Sequence, residues 1–196
     1  MILLLALAGG LVVGVAWSRW RGHSYQPPYL RVSWLAFPAF LPQFLVLYLP
    51  YTREHISDWF SSVCLIASLL FFLGFTWLNR HVAGMSILII GLTLNLAVIG
   101  LNGGFMPISP QTAGHLVSEN RMLDYQLGDR FGTKDILLLP ENTRFEWLAD
   151  RFLTPAWTSY RAAFSLGDVL IAIGAFGILA WTGSPVNKNI IRGVST

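Results

Sequence analysis

Residues 82–110, VAGMSILIIGLTLNLAVIGLNGGFMPISP, contain a long apolar run that ends abruptly in glycine and proline. The run from Val82 to Leu101 has no charged side chain. A helix needs about 20 such residues to cross about 30 Å of hydrocarbon. The glycines and prolines that follow disfavour continuation of the helix. The stretch therefore predicts a membrane-spanning helix followed by a sharp turn.

Four further apolar runs have a similar character. Of the 196 residues, 54% are hydrophobic and 12% are charged, whereas a soluble domain carries roughly 25% charged residues. Each run is predicted to be helical, because a helix in lipid satisfies its own backbone hydrogen bonds. The predicted fold class is an all-α membrane protein, a five-transmembrane-helix bundle forming one membrane domain, 1–196. The predicted spans are about 2–17, 32–50, 59–78, 82–101 and 163–181.

Basic residues are distributed unevenly between the predicted connections. Those after spans one and three, together with the C-terminal tail, hold six basic residues and no acidic ones, with Lys188 and Arg192 in the tail. The other two connections hold seven basic and nine acidic residues. The positive-inside rule therefore predicts an outer N terminus, an inner C terminus and an extracytoplasmic insertion, 103–162. The first run lacks a preceding basic region, so it is interpreted as a retained anchor, with a cleaved signal peptide as the alternative.

Small residues and prolines mark contacts and bends in the predicted bundle. In span one, Ala6, Gly10 and Gly14 recur at every fourth position, a spacing that lets two helices approach closely in lipid. The contacting helix belongs either to this chain or to a second copy. In span two, Pro38 and Pro42 remove amide donors and predict a kink, which either bends the helix or lines a cavity.

Polar residues mark the outer ends of spans four and five. Ser165 and Asp168 have capping-box spacing at the start of span five. An acid at the edge of a membrane is also a candidate for a proton or ligand role. Four residues share one face of span four and are predicted to meet span five: Gly84, Gly91, Asn95 and Asn102. The candidate structural or ligand junction comprises Asn95, Asn102, Gly103, Gly104, Pro107, Ser165 and Asp168.

Within the insertion, two stretches suggest local structure. The run from Asp135 to Leu139 is short and apolar, and it is either strand-like or membrane-hugging. Asn142 or Thr143 is predicted to cap an amphipathic helix whose charged face includes Asp150.

Familiar catalytic and metal-binding motifs are absent from the sequence. It contains no H-E-x-x-H, no G-x-x-x-x-G-K-[ST] and no G-x-S-x-G. The four histidines fall outside the middle of every predicted span and on both predicted sides of the membrane. No catalytic residue, metal or cofactor is therefore predicted, although an unfamiliar intramembrane enzyme with Asp168 as acid or base remains an alternative.

Four motifs in this chain resemble those of a known family. They are Asn102-Gly103-Gly104-x-Met106-Pro107, Lys134-Asp135-Ile136, Leu148-x-Asp150-Arg151-Phe152 and Phe164-Ser165-Leu166-Gly167-Asp168-Val169-Leu170-Ile171. With them the chain resembles a bacterial family of small integral membrane proteins designated only as a domain of unknown function. The resemblance covers nearly the whole chain and implies a multi-pass bacterial membrane protein. The predicted location is the bacterial cytoplasmic (inner) membrane. It implies no reaction, because none is assigned to the family.

The sequence leaves two main hypotheses for function. The leading one is a non-enzymatic scaffold, assembly factor or accessory subunit of a larger membrane complex, an energy-transducing complex among the candidates. The alternative is a binder or carrier of lipid, isoprenoid or quinone, with its pocket near Asn95, Asn102 and Asp168. The expected partners are the lipid bilayer and other membrane proteins, and nucleic acid is not among them.

Overall fold

The longer helical segments of the structure overlap the predicted apolar runs. The computed structural model describes residues 2–49, 51, 55–155, 157–158 and 160–181, and these are mostly helical. Pro50 in predicted span two, and Lys188 and Arg192 in the tail, lie outside the described residues. The α-helices are α1 (Ile2–Trp20), α2 (Ala36–Gln43), α3 (Asp58–Leu78), α4 (Met85–Leu101), α5 (Pro110–Gly114), α6 (Glu119–Met122) and α7 (Leu166–Ala180).

Two of these helices, α1 and α3, are long and apolar enough to cross a bilayer, as judged by length and composition. The other apolar helical segments are shorter: Ser33–Tyr48, Met85–Leu101 and Leu166–Ala180. The first of them begins as a 3₁₀ turn, continues as α2 and ends as a π-helix over Phe44–Tyr48. Pro42 lies inside α2, just before this change of pitch, which its missing amide donor explains. Pro38 lies in the first turn of α2.

Helix α1 packs along α7 through its glycines. An added Cβ on Gly10 would lie 2.6 Å from the carbonyl oxygen of Phe176, and one on Gly14 would overlap the carbonyl oxygen of Leu179. The residue numbers of both helices increase in the same direction, so the two helices run parallel. Ala6, one turn earlier, is half-buried. The small-residue face of α1 thus contacts another helix of the same chain.

Helix α4 packs antiparallel to α7, also through glycines. An added Cβ on Gly91 would lie 2.7 Å from the carbonyl oxygen of Gly167. Nearer the other end, Gly84 faces the carbonyl oxygen of Gly174. The two backbones therefore approach closely along most of their shared length.

Helix α2 packs antiparallel to α3 through polar contacts. Ser68 on α3 donates its hydroxyl to the carbonyl of Ala39 and lies 3.0 Å from Oε1 of Gln43. At the far end of α3, Oδ1 of Asn79 accepts the amide of Arg31 over 2.7 Å, just before α2. The polar groups near Pro42 are therefore used in helix packing.

The described residues between 103 and 164 form a small module at the end of the bundle where α4 ends and α7 begins. Its three-stranded sheet has the order β1-β3-β2, with β1 parallel and β2 antiparallel to β3. A separate antiparallel pair joins β4 and β5. The strands are β1 (Met106–Ile108), β2 (Arg130–Phe131), β3 (Asp135–Leu137), β4 (Phe152–Leu153) and β5 (Ala163–Phe164).

These sheets correct the prediction of an all-α chain. The apolar run that begins at Asp135 forms strand β3. The prediction of an amphipathic helix after Thr143 is wrong. Phe145 has a positive φ of 54°, and only a 3₁₀ turn, Glu146–Leu148, follows it. A bulky residue with positive φ interrupts an α-helix. The backbone groups of this segment are satisfied by strand pairing and turns instead.

Candidate functional site

The turn that ends α4 is a Schellman motif built by two glycines. Gly104 donates its amide to the carbonyl of Ile99 over 2.9 Å, and the φ angles of Gly103 and Gly104 are 82° and 89°. Residues other than glycine rarely adopt such angles, and the bond satisfies a carbonyl at the helix end. An added Cβ on Gly104 would also overlap the side chain of Ser62 on α3. The turn thus seats the module directly against α3.

Asn102 ties the end of α4 to the module. Its Oδ1 accepts the amide of Arg144 over 2.9 Å, and its Nδ2 donates to the carbonyls of Arg144 at 2.9 Å and Val98 at 2.7 Å. The residue is buried. Because its amide group is engaged by backbone on both elements, Asn102 acts as a structural clamp.

Pro107 positions one of the buried acids. It lies in β1 opposite Ile136, and its carbonyl accepts the amide of Asp150 over 3.0 Å. Proline has no amide to donate, a loss that an edge strand such as β1 tolerates. The buried Pro107 therefore holds Asp150 beside the sheet.

The start of α7 is a capping box that is bonded to α4. Ser165 Oγ accepts the amide of Asp168 over 3.1 Å, and Asp168 Oδ2 accepts the amide of Ser165 over 3.3 Å. Asn95 on α4 donates to Asp168 Oδ1 over 2.8 Å and accepts from Ser165 Oγ over 3.0 Å. The residues that cap α7 therefore also form the polar contact between α7 and α4.

Lys134 joins this cap to the module. It lies just before β3, and its Nζ is 3.0 Å from Asp150 Oδ2 and 3.3 Å from Asp168 Oδ2. The Asp150 side chain is 1% exposed, and those of Lys134 and Asp168 are 25% and 26% exposed. One ammonium thus bridges an acid of the module and an acid of α7, and we call Lys134, Asp135, Asp150 and Asp168 the ionic cluster.

Burial and neighbouring charges shift the pKa values of the charged residues in the module. Burial raises the pKa of Asp135 well above its usual range, against the lowering effect of Lys134, and Asp150 lies within hydrogen-bond reach. Burial also raises the pKa of Asp150, but the ammonium of Lys134 opposes that rise. Burial alone would lower the pKa of Lys134, yet Asp150, Asp168 and Asp135 together raise it well above its usual value. Burial therefore raises the pKa of both module acids, and the ammonium of Lys134 opposes the rise in each.

A second ion pair fixes the module to α3. Arg130 in β2 lies 3.1 Å from Asp58 and donates to Ser61 over 3.1 Å, and both of these residues belong to α3. Its guanidinium is also 5.1 Å from the ring centroid of Phe105. Since Asp58 is largely exposed, this pair contributes less to stability than the ionic cluster.

A groove on the module lies beside Asp150. Its volume is about 300 Å³, and its lining includes Ser109, Gln111, His115, Thr143, Asp150 and Arg151. We call it the module groove. A second cavity of about 500 Å³ lies at the opposite end of the bundle, between the end of α1 and Tyr25. In the part of the chain that the structure describes, no group of three or more His, Cys, Asp or Glu residues could hold a metal ion.

The structure brings some predicted site residues together and leaves others apart. Asn95, Ser165 and Asp168 form one network, and Asn102, Gly103, Gly104 and Pro107 form the adjoining junction between α4 and the module. The remaining predicted residues pack between helices away from this site: Ala6, Gly10, Gly14, Pro38 and Pro42.

Sequence reasoning missed the two residues that complete the network. Asp150 was predicted on the solvent face of a helix, whereas it is buried beside β1. Lys134 was singled out only as part of a motif. The available signal was that Lys134, Asp150 and Asp168 each lie in a motif carrying the family resemblance.

Comparison with known proteins identifies a family without a function. A family model described as a family of unknown function (DUF5317) matches residues 29–180, which is more than half of the chain. No curated protein and no solved structure matches the chain.

Proposed function

We propose that this member of DUF5317, the family of unknown function to which the chain belongs, is a non-enzymatic scaffold, assembly factor or accessory subunit of a larger membrane complex. In this proposal five helical spans anchor it in the bacterial inner membrane, with the N terminus outside and the C terminus inside. The module then lies on the outer face and receives the partner. The observation that carries the proposal is the attachment of the module to the helix ends through Lys134.

Helix direction and charge both support the five-span arrangement. The chain direction of α1, α3 and α7 is away from the module, and that of α2 and α4 is toward it. Four arginines lie at the end of the bundle opposite the module: Arg19, Arg21, Arg31 and Arg80. Basic connections remain in the cytoplasm under the positive-inside rule, so the module end is assigned to the outside.

Cysteine labelling tests this orientation. The native Cys64 in α3 is first replaced by alanine, and single cysteines are then introduced as Asn120→Cys in the module or Ser24→Cys at the opposite end, both exposed positions. A membrane-impermeant maleimide is expected to label Asn120→Cys in intact cells and Ser24→Cys only after permeabilisation. The reverse pattern would overturn the orientation. Labelling of both cysteines in intact cells would overturn the odd number of membrane crossings proposed between positions 24 and 120.

The surface of the module supports a scaffold role. Leu123, Trp147 and Trp157 are large apolar side chains that the module leaves exposed. Exposed apolar residues of this size are typical of protein contact surfaces or of the membrane interface. The polar side-chain groups of Asn95, Asn102 and Asp168, in contrast, are hydrogen-bonded within the chain. A module that exposes large apolar side chains, above helix ends whose polar groups are already bonded, therefore fits partner binding better than a ligand pocket at the helix junction.

Native purification in mild detergent tests the function. The scaffold proposal predicts that the wild-type protein recovers a reproducible set of membrane proteins. Trp157→Ala should weaken this recovery. Trp20→Ala changes a similarly exposed tryptophan at the other end of the bundle and should leave the recovery unchanged. A monomeric protein that carries a stoichiometric lipid, isoprenoid or quinone would instead support the alternative function and overturn this one.

A further inference from the structure

The cavity at the end of the bundle opposite the module is lined by basic and polar side chains that are open to the surface. Its volume is about 500 Å³, and we call it the basic cavity. Arg19, His23 and Ser24 in its lining are exposed, whereas Val15 and Tyr25 are half-buried. The polar groups of the first three side chains are therefore accessible to a molecule from outside the protein.

The turn after α1 brings these side chains around one space. Gly22 has a φ of 74° and donates its amide to the carbonyl of Arg19 over 3.0 Å. His23 donates its amide to the carbonyl of Ser18 over 2.9 Å, which completes a Schellman motif. The chain after the motif therefore returns toward the last turn of α1. The motif also satisfies two carbonyls at the negative end of the α1 dipole, which weakens their repulsion of an anion.

Contacts to two helices fix the far wall of the basic cavity. The hydroxyl of Tyr25 donates to the carbonyl of Leu179 on α7 over 2.9 Å. The ring of Tyr25 also packs on α1, where an added Cβ on Gly14 would lie 2.8 Å from it. The shape of the cavity is therefore set by α1, by α7 and by the turn between α1 and Tyr25.

The positive charge at this end of the bundle has no carboxylate partner among the described residues. Arg19 takes part in none of the ion pairs that the described residues form. All ten acidic residues of the chain lie between Glu54 and Asp168, so the segments that form this end, 17–35, 78–84 and 179–181, hold none. Four arginines lie at this end: Arg19, Arg21, Arg31 and Arg80. An anion in the basic cavity therefore meets several cations and no opposing carboxylate from these segments.

We propose that the basic cavity binds a phosphate group. The guanidinium of Arg19 presents paired N–H donors whose spacing matches two oxygens of one phosphate. The imidazole of His23 and the hydroxyl of Ser24 supply further donors from the same lining. A phosphate has enough oxygens to accept from all three side chains, and its charge balances that of the arginines.

Two sources of phosphate share this chemistry, a phospholipid headgroup and a soluble phosphate compound. Trp17 and Trp20 at the end of α1 are exposed, and tryptophan concentrates at the headgroup level of a membrane. Basic pockets on the cytoplasmic side of membrane proteins bind anionic headgroups. These features favour the phospholipid. That choice of source rests on the proposed membrane arrangement, whereas the phosphate site itself does not.

Native mass spectrometry of the purified full-length protein in a non-ionic detergent tests the proposal with defined probes. Dioctanoyl phosphatidic acid is compared with dioctanoylglycerol, which has the same chains without the phosphate, and with sn-glycerol 3-phosphate, which lacks the chains. Phosphatidic acid is expected to bind at least about tenfold more tightly than dioctanoylglycerol, as charge-assisted hydrogen bonds imply. Equal affinity for sn-glycerol 3-phosphate and phosphatidic acid would assign the site to soluble phosphate compounds, and preference for phosphatidic acid would assign it to the lipid.

Variants locate the binding in the basic cavity. Arg19→Gln should lower the affinity for phosphatidic acid at least about tenfold. Arg80→Gln is the matched control, because it removes one charge from the same end of the bundle at a position outside the lining, and it should keep the affinity. Ser24→Trp fills the cavity without changing its charge and should also abolish binding.

Two results would overturn the proposal. One is equal binding of phosphatidic acid and dioctanoylglycerol to the wild-type protein. The other is an equal loss of affinity in Arg19→Gln and Arg80→Gln, since diffuse positive charge rather than a site would then explain the binding. The measurement uses neither a partner protein nor a membrane with two sides. Its failure therefore leaves the results of native purification and cysteine labelling unaffected.

Discussion

Replacing Lys134 with methionine is expected to lower the free energy of unfolding by roughly 2–4 kcal/mol, the cost of leaving buried acids without their cation. Methionine keeps most of the side-chain volume but removes the ammonium that contacts Asp150 and Asp168. The expected loss is at the lower end for a buried pair because the lysine is 25% exposed. Denaturant unfolding of the detergent-solubilised protein, followed by circular dichroism, measures the change.

The pH dependence of this loss identifies its electrostatic origin. Burial already raises the pKa of Asp150, and removing Lys134 takes away the charge that opposes this rise. A carboxyl group whose pKa is higher in the folded than in the unfolded protein stabilises the folded state while it is protonated. This stabilisation is lost as the pH rises through the pKa of the folded protein. The deficit of Lys134→Met should therefore be small near pH 4, close to the pKa of about 3.9 for an unfolded aspartate, and grow toward neutral pH.

Two further variants separate the ionic effect from a packing effect. Adding Asp150→Asn to Lys134→Met should recover part of the lost stability, because one uncompensated carboxylate is removed. Arg151→Met breaks a pair that is 46% and 41% exposed, and it should cost less than about 0.5 kcal/mol. A deficit for Lys134→Met that is independent of pH and unrelieved in the double variant would contradict the assigned role.

Replacing Gly91 with alanine is expected to destabilise the protein by about 1–3 kcal/mol, the usual cost of overpacking a close contact. The added methyl would lie 2.7 Å from the carbonyl oxygen of Gly167 and 2.8 Å from the amide nitrogen of Ile171. Both atoms belong to the backbone of α7, so the strain cannot be relieved by a side-chain rotation. Separation of α4 from α7 would also lengthen the hydrogen bond from Asn95 to Asp168.

Gly100 in the same helix supplies the matched control. An added Cβ there meets no atom within 4 Å. Because alanine favours a helix over glycine by roughly 0.5–1 kcal/mol, Gly100→Ala should be neutral or slightly stabilising. Thermal melts of the two variants in the same detergent compare them directly. If the two variants melt at the same temperature, the close contact between α4 and α7 does not hold the bundle together.

The helices and their ends were predictable from local pattern. The run Val82–Leu101 corresponds to α4 (Met85–Leu101), and the Ser165–Asp168 spacing forms a capping box in the structure. Both signals act over a few residues, since helix formation depends on an apolar face and on terminal backbone groups near in sequence. The turn at Gly103 and Gly104 was also predictable from local sequence, because a backbone with positive φ angles favours glycine wherever it occurs.

The module and its charges required the tertiary structure. Lys134 meets Asp150 and Asp168 only because β1 pairs with β3 in one register, and Pro107 in β1 holds Asp150 by its amide. Charged residues produce the same local sequence pattern on a solvated surface and in a buried ionic cluster. The local pattern therefore predicted, incorrectly, that Asp150 is exposed to solvent.

Local sequence pattern was sufficient to identify the apolar helices, the polar cap of α7 and the glycine turn after α4. It could not identify which acids are buried, which lysine pairs with them or where a groove lies beside them. Helix formation and capping depend on residues a few positions apart. Burial and ion pairing, in contrast, depend on strand register and helix contacts between residues far apart in the chain.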